Sequence, residues 1–328
     1  MKKKKEIIAI LLALAVFISA SYLAADILIP YRSEYGINWD SYREEPDNSI
    51  DVLFFGSSIA YCDIVPAVIY DQSHLSSYVA AGPEQTIPIS YYYIKEACKT
   101  QHPQAIVLEL TGMFFEKYQN FTQANISYMP FGLNRLEATF NAAESERIPG
   151  LLFPILDYHD RWYKAGTDEI KKNLFPEKDM LAGYTFLSEA TAQNDFTERN
   201  CASGDAYDYA LEYLEKICSF CGESGIGLIL YISPSYTRIP SEKLAKLSSD
   251  LENFSYTTFI DFNSDTQWAA IGADAETDWY DSMHFNCLGA EKFSRVLADL
   301  IVSEGISPSW NSSSSPWQSR YDYFKSLT

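Results

Sequence analysis

Basic side chains are scarce in this sequence. Its 328 residues include 25 lysines and arginines against 44 aspartates and glutamates, which gives a formal net charge of −19. The first six residues hold four lysines and one glutamate, so the remainder carries 21 basic and 43 acidic side chains, a net charge of −22. Because nucleic-acid binding needs basic surface to neutralise phosphate, this composition argues against a nucleic-acid partner.

Long apolar runs are also rare. Residues 7–25 form 19 positions without a charge, and no second run of this length follows. The run spans about 28 Å as a helix, close to the roughly 30 Å of a bilayer's hydrocarbon core. The preceding "KKKK" favours a cytoplasmic N-terminus with the rest of the chain outside. We expect residues 1–30 to be a retained membrane anchor; a cleaved signal peptide, for which "FISA" offers a small-residue site, is the alternative.

Histidine occurs four times and cysteine six times. The "CSFC" motif of Cys218 and Cys221 is accompanied by neither a second CxxC nor a histidine pair, so neither a metal site nor a cofactor is expected. The two cysteines share a face of an apparent helix. We expect structural thiols or one local disulfide, which an extracytoplasmic location permits. A thiol oxidoreductase centred on this motif is an alternative.

Strand and helix patterns alternate through the rest of the chain. Five short apolar runs rich in β-forming residues predict buried strands: "IDVLFFG", "SYVAAG", "QAIVLEL", "IGLILYISP" and "TTFIDFN". Helical patterns separate them, and "CLGAEKFSRVLADLIVSEG" closes the series. This order predicts an α/β fold, a three-layer α/β/α sandwich around a five-stranded parallel sheet.

Three segments fall outside this alternation. Residues 31–48 are polar and predict a tether between the membrane and a domain of residues 49–305. Residues 113–204 contain many aromatics, scattered prolines and no clear strand, which predicts a mostly helical or irregular insertion in that domain. Residues 306–328 are rich in serine and proline, and we expect a loosely attached tail.

The stretch "DVLFFGSSIAYCD" offers a nucleophile. Its predicted strand ends at Gly56, and Ser57 and Ser58 follow. Reactive groups of an open parallel sheet collect beyond the carboxyl ends of its strands. A tight turn would have the same composition, so a second signal is needed to favour chemistry.

The second signal is "DWYDSMHFNCLGAEKF", in which Asp281 and His284 stand three residues apart before the last helix. A serine nucleophile needs an imidazole to accept its proton and a carboxylate to orient that imidazole. His284 is the one histidine with this pairing; we expect solvated, turn and structural positions for His74, His102 and His159. The pattern predicts a catalytic triad of His284, Asp281 and one of the two adjacent serines, Ser57 or Ser58.

The blocks "FFGSS", "AAGPEQ", "IVLEL" and "DSMHFNCLGAEKFSRVLADL", in this order, resemble the SGNH (GDSL-like) hydrolase superfamily. More narrowly they resemble its membrane-anchored branch, which includes DltD-like proteins and polysaccharide O-acetyltransferases of the alginate type. The resemblance covers residues 49–112 and 205–303 and implies an SGNH or flavodoxin-like sandwich. It assigns the nucleophile to Ser58, the base and orienting acid to His284 and Asp281, and the oxyanion hole to the N–H groups of Ser58 and Gly82.

The third strand departs from the family pattern. The family usually ends it with Gly-x-Asn-Asp, whose asparagine donates to the oxyanion, whereas this chain reads "LELTGMFFE". Losing one such donor costs about 10²–10³ in rate. Gln85 and Asn286 are candidate replacements, and a non-catalytic descendant is the alternative.

The resemblance implies an extracytoplasmic, membrane-tethered bacterial enzyme for serine-dependent O-acyl transfer or ester hydrolysis. Its expected partner is an envelope polysaccharide or a teichoic-type polymer, and a membrane-embedded protein that delivers acyl groups fits the same reading. Neither a metal nor a cofactor is implied. The rival expectation is a binding or assembly factor for envelope polymer modification, with the same fold and no chemistry.

Overall fold

Parallel strands form the central sheet. The computed structural model describes residues 2–32, 35–309 and 316–328. Its strands, in chain order, are β1 (Val52–Phe55), β2 (Ser77–Val79), β3 (Ala105–Glu109), β4 (Thr197–Glu198), β5 (Gly227–Ile232), β6 (Thr237–Arg238) and β7 (Thr258–Asp261). Five of them form one parallel sheet in the order β2-β1-β3-β5-β7, and β4 pairs with β6 separately. The strand order reverses between β1 and β3, where open α/β sheets bind ligands.

Strand β1 shows why these segments are strands. Leu53 and Phe55 belong to the apolar core on one face of the sheet, and Val52 and Phe54 belong to the core on the other face. All four side chains are fully buried. A central parallel strand is covered on both faces and reads as a continuous apolar run, which is the pattern of "VLFF".

Helices cover both faces of the sheet. In the described residues they are α1 (Lys2–Leu28), α2 (Trp39–Arg43), α3 (Ser58–Asp63), α4 (Pro66–Ser73), α5 (Ile87–Ala97), α6 (Thr122–Tyr128), α7 (Leu133–Asn141), α8 (Ile148–Leu152), α9 (Ile155–Tyr158), α10 (Thr167–Leu174), α11 (Asp205–Ser224), α12 (Ser241–Leu251), α13 (Asp265–Ile271), α14 (Cys287–Ser303) and α15 (Pro316–Leu327). Helices α5 and α11 pack together, as do α4, α14 and α15. The predicted three-layer α/β/α sandwich with a five-stranded parallel sheet is confirmed.

The insertion combines short helices with irregular segments, as predicted. Helices α6 to α10 lie within residues 113–204, together with the 3₁₀ helices Ser145–Arg147 and His159–Tyr163. Its short strand β4 pairs with β6, which lies outside the insertion. This pairing ties the end of the insertion to the connection that follows β5.

Helix α1 is long and apolar enough to cross a membrane. The most apolar 18-residue window of its segment Lys3–Leu28 has a mean hydropathy of 2.6, and none of that window is buried inside the protein. No other helix in the described ranges meets the same criteria of length and composition.

Residues 31–48 are not the free tether that their polarity suggested. Ile37, Trp39 and Tyr42 are buried in the core that also contains α5. The N–H of Ile37 donates to the carbonyl of Ala81, and the Asn38 side chain caps α2. Their apolar side chains are too few to show a period, but they anchor the segment.

The expectation of a loosely attached tail is wrong for residues 316–327. They form α15, which packs on α4 and buries Trp317, Arg320 and Phe324. The Arg320 guanidinium pairs with the Glu45 carboxylate, and both side chains are almost completely buried. The serine and proline content of the segment suggested a loose tail, although its apolar side chains recur at helical spacing. Residues 310–315, which contain the serine run, lie outside the described residues.

We predict that Arg320→Ala lowers the free energy of unfolding by about 3–5 kcal/mol, because it leaves Glu45 buried without its partner. Lys325→Ala is the matched control: its ion pair with Glu291 is half-exposed, and its loss costs about 0–1 kcal/mol. Urea unfolding of the full chain in mild detergent measures both. Equal effects of the two substitutions would contradict the buried pair.

Candidate active site at the carboxyl edge of the sheet

The backbone after β1 turns sharply at Gly56. Its φ is +151°, and a Cβ there would lie 2.7 Å from the Cβ of Glu109 at the end of β3. Only glycine avoids both the strain and the clash. The turn allows α3 to begin at Ser58, with the Ser57 hydroxyl accepting from the N–H of Ile59 as its cap.

The turn that holds His284 is closed by its own hydrogen bonds. The N–H groups of Met283 and His284 both donate to Asp281 Oδ1, at 2.7 and 2.9 Å. The Tyr280 N–H donates to the His284 carbonyl, at 3.0 Å. The Ser282 carbonyl accepts hydrogen bonds from residues 235–237, which joins the turn to the connection after β5. The D-x-x-H spacing is therefore a self-capped turn that fixes both side chains.

The structure brings Ser58, His284 and Asp281 into one connected chain. Ser58 Oγ lies 2.9 Å from His284 Nε2, and His284 Nδ1 lies 2.9 and 3.0 Å from the two carboxylate oxygens of Asp281. The His284 side chain is 14% exposed and that of Asp281 is 41% exposed. An imidazole between a hydroxyl and a carboxylate can accept the hydroxyl proton while the carboxylate stabilises its cation.

The electrostatics of Asp281 suit that orienting position. Partial burial acts to raise its pKa, but the hydrogen bond from the His284 ring and those from two backbone N–H groups outweigh burial and hold the pKa below its ordinary value. The carboxylate is therefore charged at neutral pH and directs the Nδ1 proton of His284 toward itself.

A residue that sequence reasoning missed, Asp63, holds the two halves of the site together. It ends α3, is fully buried, and accepts hydrogen bonds at 2.9 Å from both the N–H of Phe285 and the hydroxyl of Ser233. Burial raises its pKa to about 7. Asp63 thus connects the helix that carries Ser58 to the residue after His284. Nothing in the pattern "SSIAYCD" marks it, since its partners lie more than 160 positions away.

The two predicted oxyanion donors are free of protein acceptors. Within the described residues, neither the N–H of Ser58 nor that of Gly82 donates to a protein atom. Gly82 is buried, and the two residues after it, Pro83 and Glu84, line the same cleft as Ser58. Asn125 of the insertion fixes this loop, because its amide donates to the Pro83 carbonyl at 2.8 Å. Sequence reasoning missed Asn125 because the insertion showed no motif.

Neither candidate replacement for the third-strand asparagine lines the cleft. The Asn286 amide donates to the carbonyls of Thr277 and Glu189, and its oxygen caps α14. The Gln85 amide donates to Ser90 Oγ. Asn286 is therefore ruled out as a donor toward Ser58, and Gln85 is engaged behind the cleft wall.

The cleft in front of Ser58 has a volume of about 690 Å³. This is within the usual range for a small-molecule site. Aromatic side chains form much of its wall: Tyr35, Tyr61, Phe114, Phe115 and Phe121. Such a wall suits a ligand with apolar ring faces, as sugars have.

Arg199 is the one arginine or lysine among the residues that line this cleft. It follows β4, and its guanidinium makes one side-chain hydrogen bond within the described residues, a weak one to Met283 Sδ at 3.1 Å. Burial lowers its pKa, and the buried Glu109 acts against that shift. Most of its five N–H donors therefore remain available to a ligand.

The "CSFC" cysteines do not form a reactive centre. Cys218 and Cys221 are buried free thiols on α11, and burial raises their pKa values to about 11 and about 12. A buried thiol of high pKa is inert, because the thiolate is the nucleophile. In the described part of the chain, no cluster of histidine, cysteine and acidic side chains is arranged to hold a metal ion.

We predict that stability falls as pH rises from about 4 to about 7. The Asp63 carboxyl has a pKa of about 7 when folded and about 4 when unfolded. Across this window the folded protein keeps a proton that the unfolded chain has lost, which costs up to about 1.4 kcal/mol per pH unit. Urea unfolding across this range should show a shallower slope for Asp63→Asn, which keeps one acceptor and carries no charge.

Glu109→Gln is the matched comparison, because burial also raises the pKa of Glu109 to about 7. Glu109→Gln should also make the fall of the unfolding free energy with rising pH shallower. An unchanged slope in both variants would contradict the assignment of the pH dependence to these two carboxyl groups.

The SGNH resemblance rests on the motifs quoted above. The chain matches no family model, and no curated protein matches it. The chemistry assigned to the site therefore depends on the contacts of Ser58, His284 and Asp281 themselves.

Proposed function

We propose that the protein is a membrane-tethered, SGNH-like serine enzyme that transfers or hydrolyses O-acyl groups on an extracytoplasmic polymer. The observation that carries the proposal is the connected chain from Ser58 Oγ through the His284 ring to the Asp281 carboxylate. Two residues brought together from opposite ends of the domain, in hydrogen-bonding geometry inside a cleft, are what serine acyl chemistry requires.

The first half of the reaction acylates Ser58. As Ser58 Oγ forms a bond to the acyl carbonyl carbon, its proton passes to His284 Nε2. The oxygen of the tetrahedral intermediate takes the negative charge next to the N–H groups of Ser58 and Gly82. The carbon–oxygen bond to the leaving group then breaks, and His284 returns the proton to that oxygen.

The second half regenerates the enzyme. A sugar hydroxyl or a water molecule gives its proton to His284 Nε2 while its oxygen attacks the acyl carbon. The bond to Ser58 Oγ breaks, and Ser58 recovers the proton. A sugar hydroxyl gives O-acyl transfer, and water gives ester hydrolysis. The aromatic wall of the cleft favours a saccharide acceptor.

Helix α1 supports an extracytoplasmic location for the domain. Lysines 2 to 5 precede its apolar run, and cytoplasmic flanks are enriched in such residues. The domain after residue 30 would then face the extracytoplasmic space, where envelope polysaccharides and teichoic-type polymers occur. A membrane-embedded protein that supplies acyl groups fits this arrangement.

Arg199 supports a polymer that carries anionic groups. Among the described residues that line the cleft it is the sole lysine or arginine, in a protein of strongly negative charge. Its guanidinium is matched to phosphate or carboxylate. A neutral glycan would offer no charged partner to the guanidinium of this partly buried side chain.

A second candidate function is an inactive binding or assembly factor. The favouring observation is the end of β3, where Leu110, Thr111 and Gly112 replace the family's asparagine block. In that case the cleft would bind the polymer without acylating Ser58.

A fluorophosphonate probe separates the two functions. We predict covalent labelling of the wild type, loss of labelling in Ser58→Ala, and retained labelling in Ser57→Ala. Ser57→Ala removes only a helix cap, which costs about 0.5–2 kcal/mol of stability. Gel fluorescence measures the labelling, and unfolding curves check that each variant is folded. Absence of labelling in a folded wild type would favour the binding factor.

We also predict that Arg199→Gln changes acceptor and donor preference by charge. The ratio of kcat/KM for para-acetoxybenzoate to kcat/KM for neutral phenyl acetate should fall about 10- to 100-fold, the value of a charge-assisted hydrogen bond. Arg238→Gln, an arginine outside the cleft, is the matched control. An equal loss on both esters would show that Arg199 does not recognise substrate charge.

A further inference from the structure

Exposed apolar and aromatic side chains are concentrated in the insertion. Outside α1, sixteen large hydrophobic side chains of the described residues are exposed, and ten of them fall within residues 121–175. Three are about three-quarters exposed: Leu133 (74%), Trp162 (72%) and Phe175 (75%). An exposed apolar patch of this kind marks an interaction surface.

The same segments pack on the extracytoplasmic end of α1. Helices α9 and α10 and the 3₁₀ helix His159–Tyr163 all contact it. The Tyr22 hydroxyl donates to the Leu152 carbonyl, and the Tyr22 ring lies 4.6 Å from that of Phe131. The Asn173 amide donates to the carbonyls of Ile27 and Ile29.

These contacts fix the depth of the insertion relative to a bilayer that α1 would span. The apolar run of residues 7–25 matches a bilayer core of roughly 30 Å. Residues 22–29, which the insertion contacts, would then stand where that core meets the headgroups. Trp and Tyr are enriched at this depth because their rings are amphipathic.

Charge does not oppose contact with a bilayer here. Residues 155–175 contain four acidic and four basic side chains, so this stretch is neutral in a strongly acidic protein. Two pairs are formed locally, Arg161 with Glu169 and Lys164 with Asp160. The rest of the extracytoplasmic domain, at its high negative charge, would be repelled by anionic lipids.

We propose that this surface lies in the interfacial region of the extracytoplasmic leaflet and seats the domain on the bilayer. We name it the aromatic rim, formed by Phe131, Phe153, Leu156, Trp162, Tyr163, Leu174 and Phe175. The proposal rests on α1 being a membrane anchor, and its occupant is lipid.

An apolar groove adjoins the cleft of the candidate active site on the side of α1. It has a volume of about 260 Å³, begins at Pro30 and Tyr31 just beyond α1, and shares Tyr35, Pro83 and Phe121 with the cleft of Ser58. With the rim in the interface, one end of the cleft would open close to the membrane surface.

Tryptophan quenching by brominated lipid tests directly whether the aromatic rim lies in the interfacial region of the bilayer. The full chain is reconstituted in phosphatidylglycerol–phosphatidylcholine vesicles whose acyl chains are brominated near the headgroup. The emission lost in Trp162→Phe isolates the Trp162 contribution. The same difference for Trp268→Phe, whose ring packs on Phe196 and Trp279 and not on the aromatic rim, is the matched control. We expect brominated lipid to remove most of the Trp162 emission, water-soluble acrylamide to affect it little, and the Trp268 emission to be unaffected by the lipid.

Each other result overturns the proposal. Quenching of Trp162 by acrylamide and not by lipid would place the rim in water. Protection from both quenchers would place it against protein, such as a membrane partner or a second copy. A chain that does not float with the vesicles would refute the anchor and the rim together, whereas a floating chain with a water-exposed Trp162 would refute the rim alone.

Discussion

The hydrogen bond from the Phe285 N–H to the buried Asp63 carboxyl is the contact on which the candidate site depends. Ser58 stands at the start of α3 and Asp63 at its end, so a fixed Asp63 fixes the helix. Phe285 directly follows His284, and Ser233, the other partner of Asp63, follows β5. One buried acid therefore joins the end of β1, the end of β5 and the histidine turn. A buried polar group persists only when it is satisfied in this way.

A second buried pair joins two segments that are distant along the chain. Arg320 of α15 and Glu45, just after α2, meet in the interior beside Asp179 of the insertion. The segment that follows α1, the insertion and the C-terminal helix are thus fastened to each other. This contact restrains the insertion that contributes Asn125 and Arg199 to the surroundings of Ser58, and that packs on α1.

The sequence predicted what depends on local pattern. Apolar runs such as "VLFF" predicted all five strands of the sheet. The D-x-x-H spacing predicted that Asp281 and His284 lie side by side, because this turn closes on itself. The sequence could not predict the roles of Asp63, Asn125 or Arg199 at the site, since each acts through partners far along the chain and carries no local signature. The expectations for residues 31–48 and 316–327 were wrong because the overall composition of these segments is polar. A few buried apolar side chains nevertheless anchor them, among them Ile37, Trp39, Trp317 and Phe324.

The central claim is that Ser58 carries an acyl group during turnover. Mixing the full chain with para-nitrophenyl acetate, quenching in acid and mapping peptides by mass spectrometry tests it most directly. The account predicts an acetyl group on the Ser58 peptide of the wild type, and its strong depletion in His284→Ala, where no base accepts the Ser58 proton. A folded wild type with no acetyl group on this peptide, or with equal acetylation of the His284→Ala variant, would contradict it.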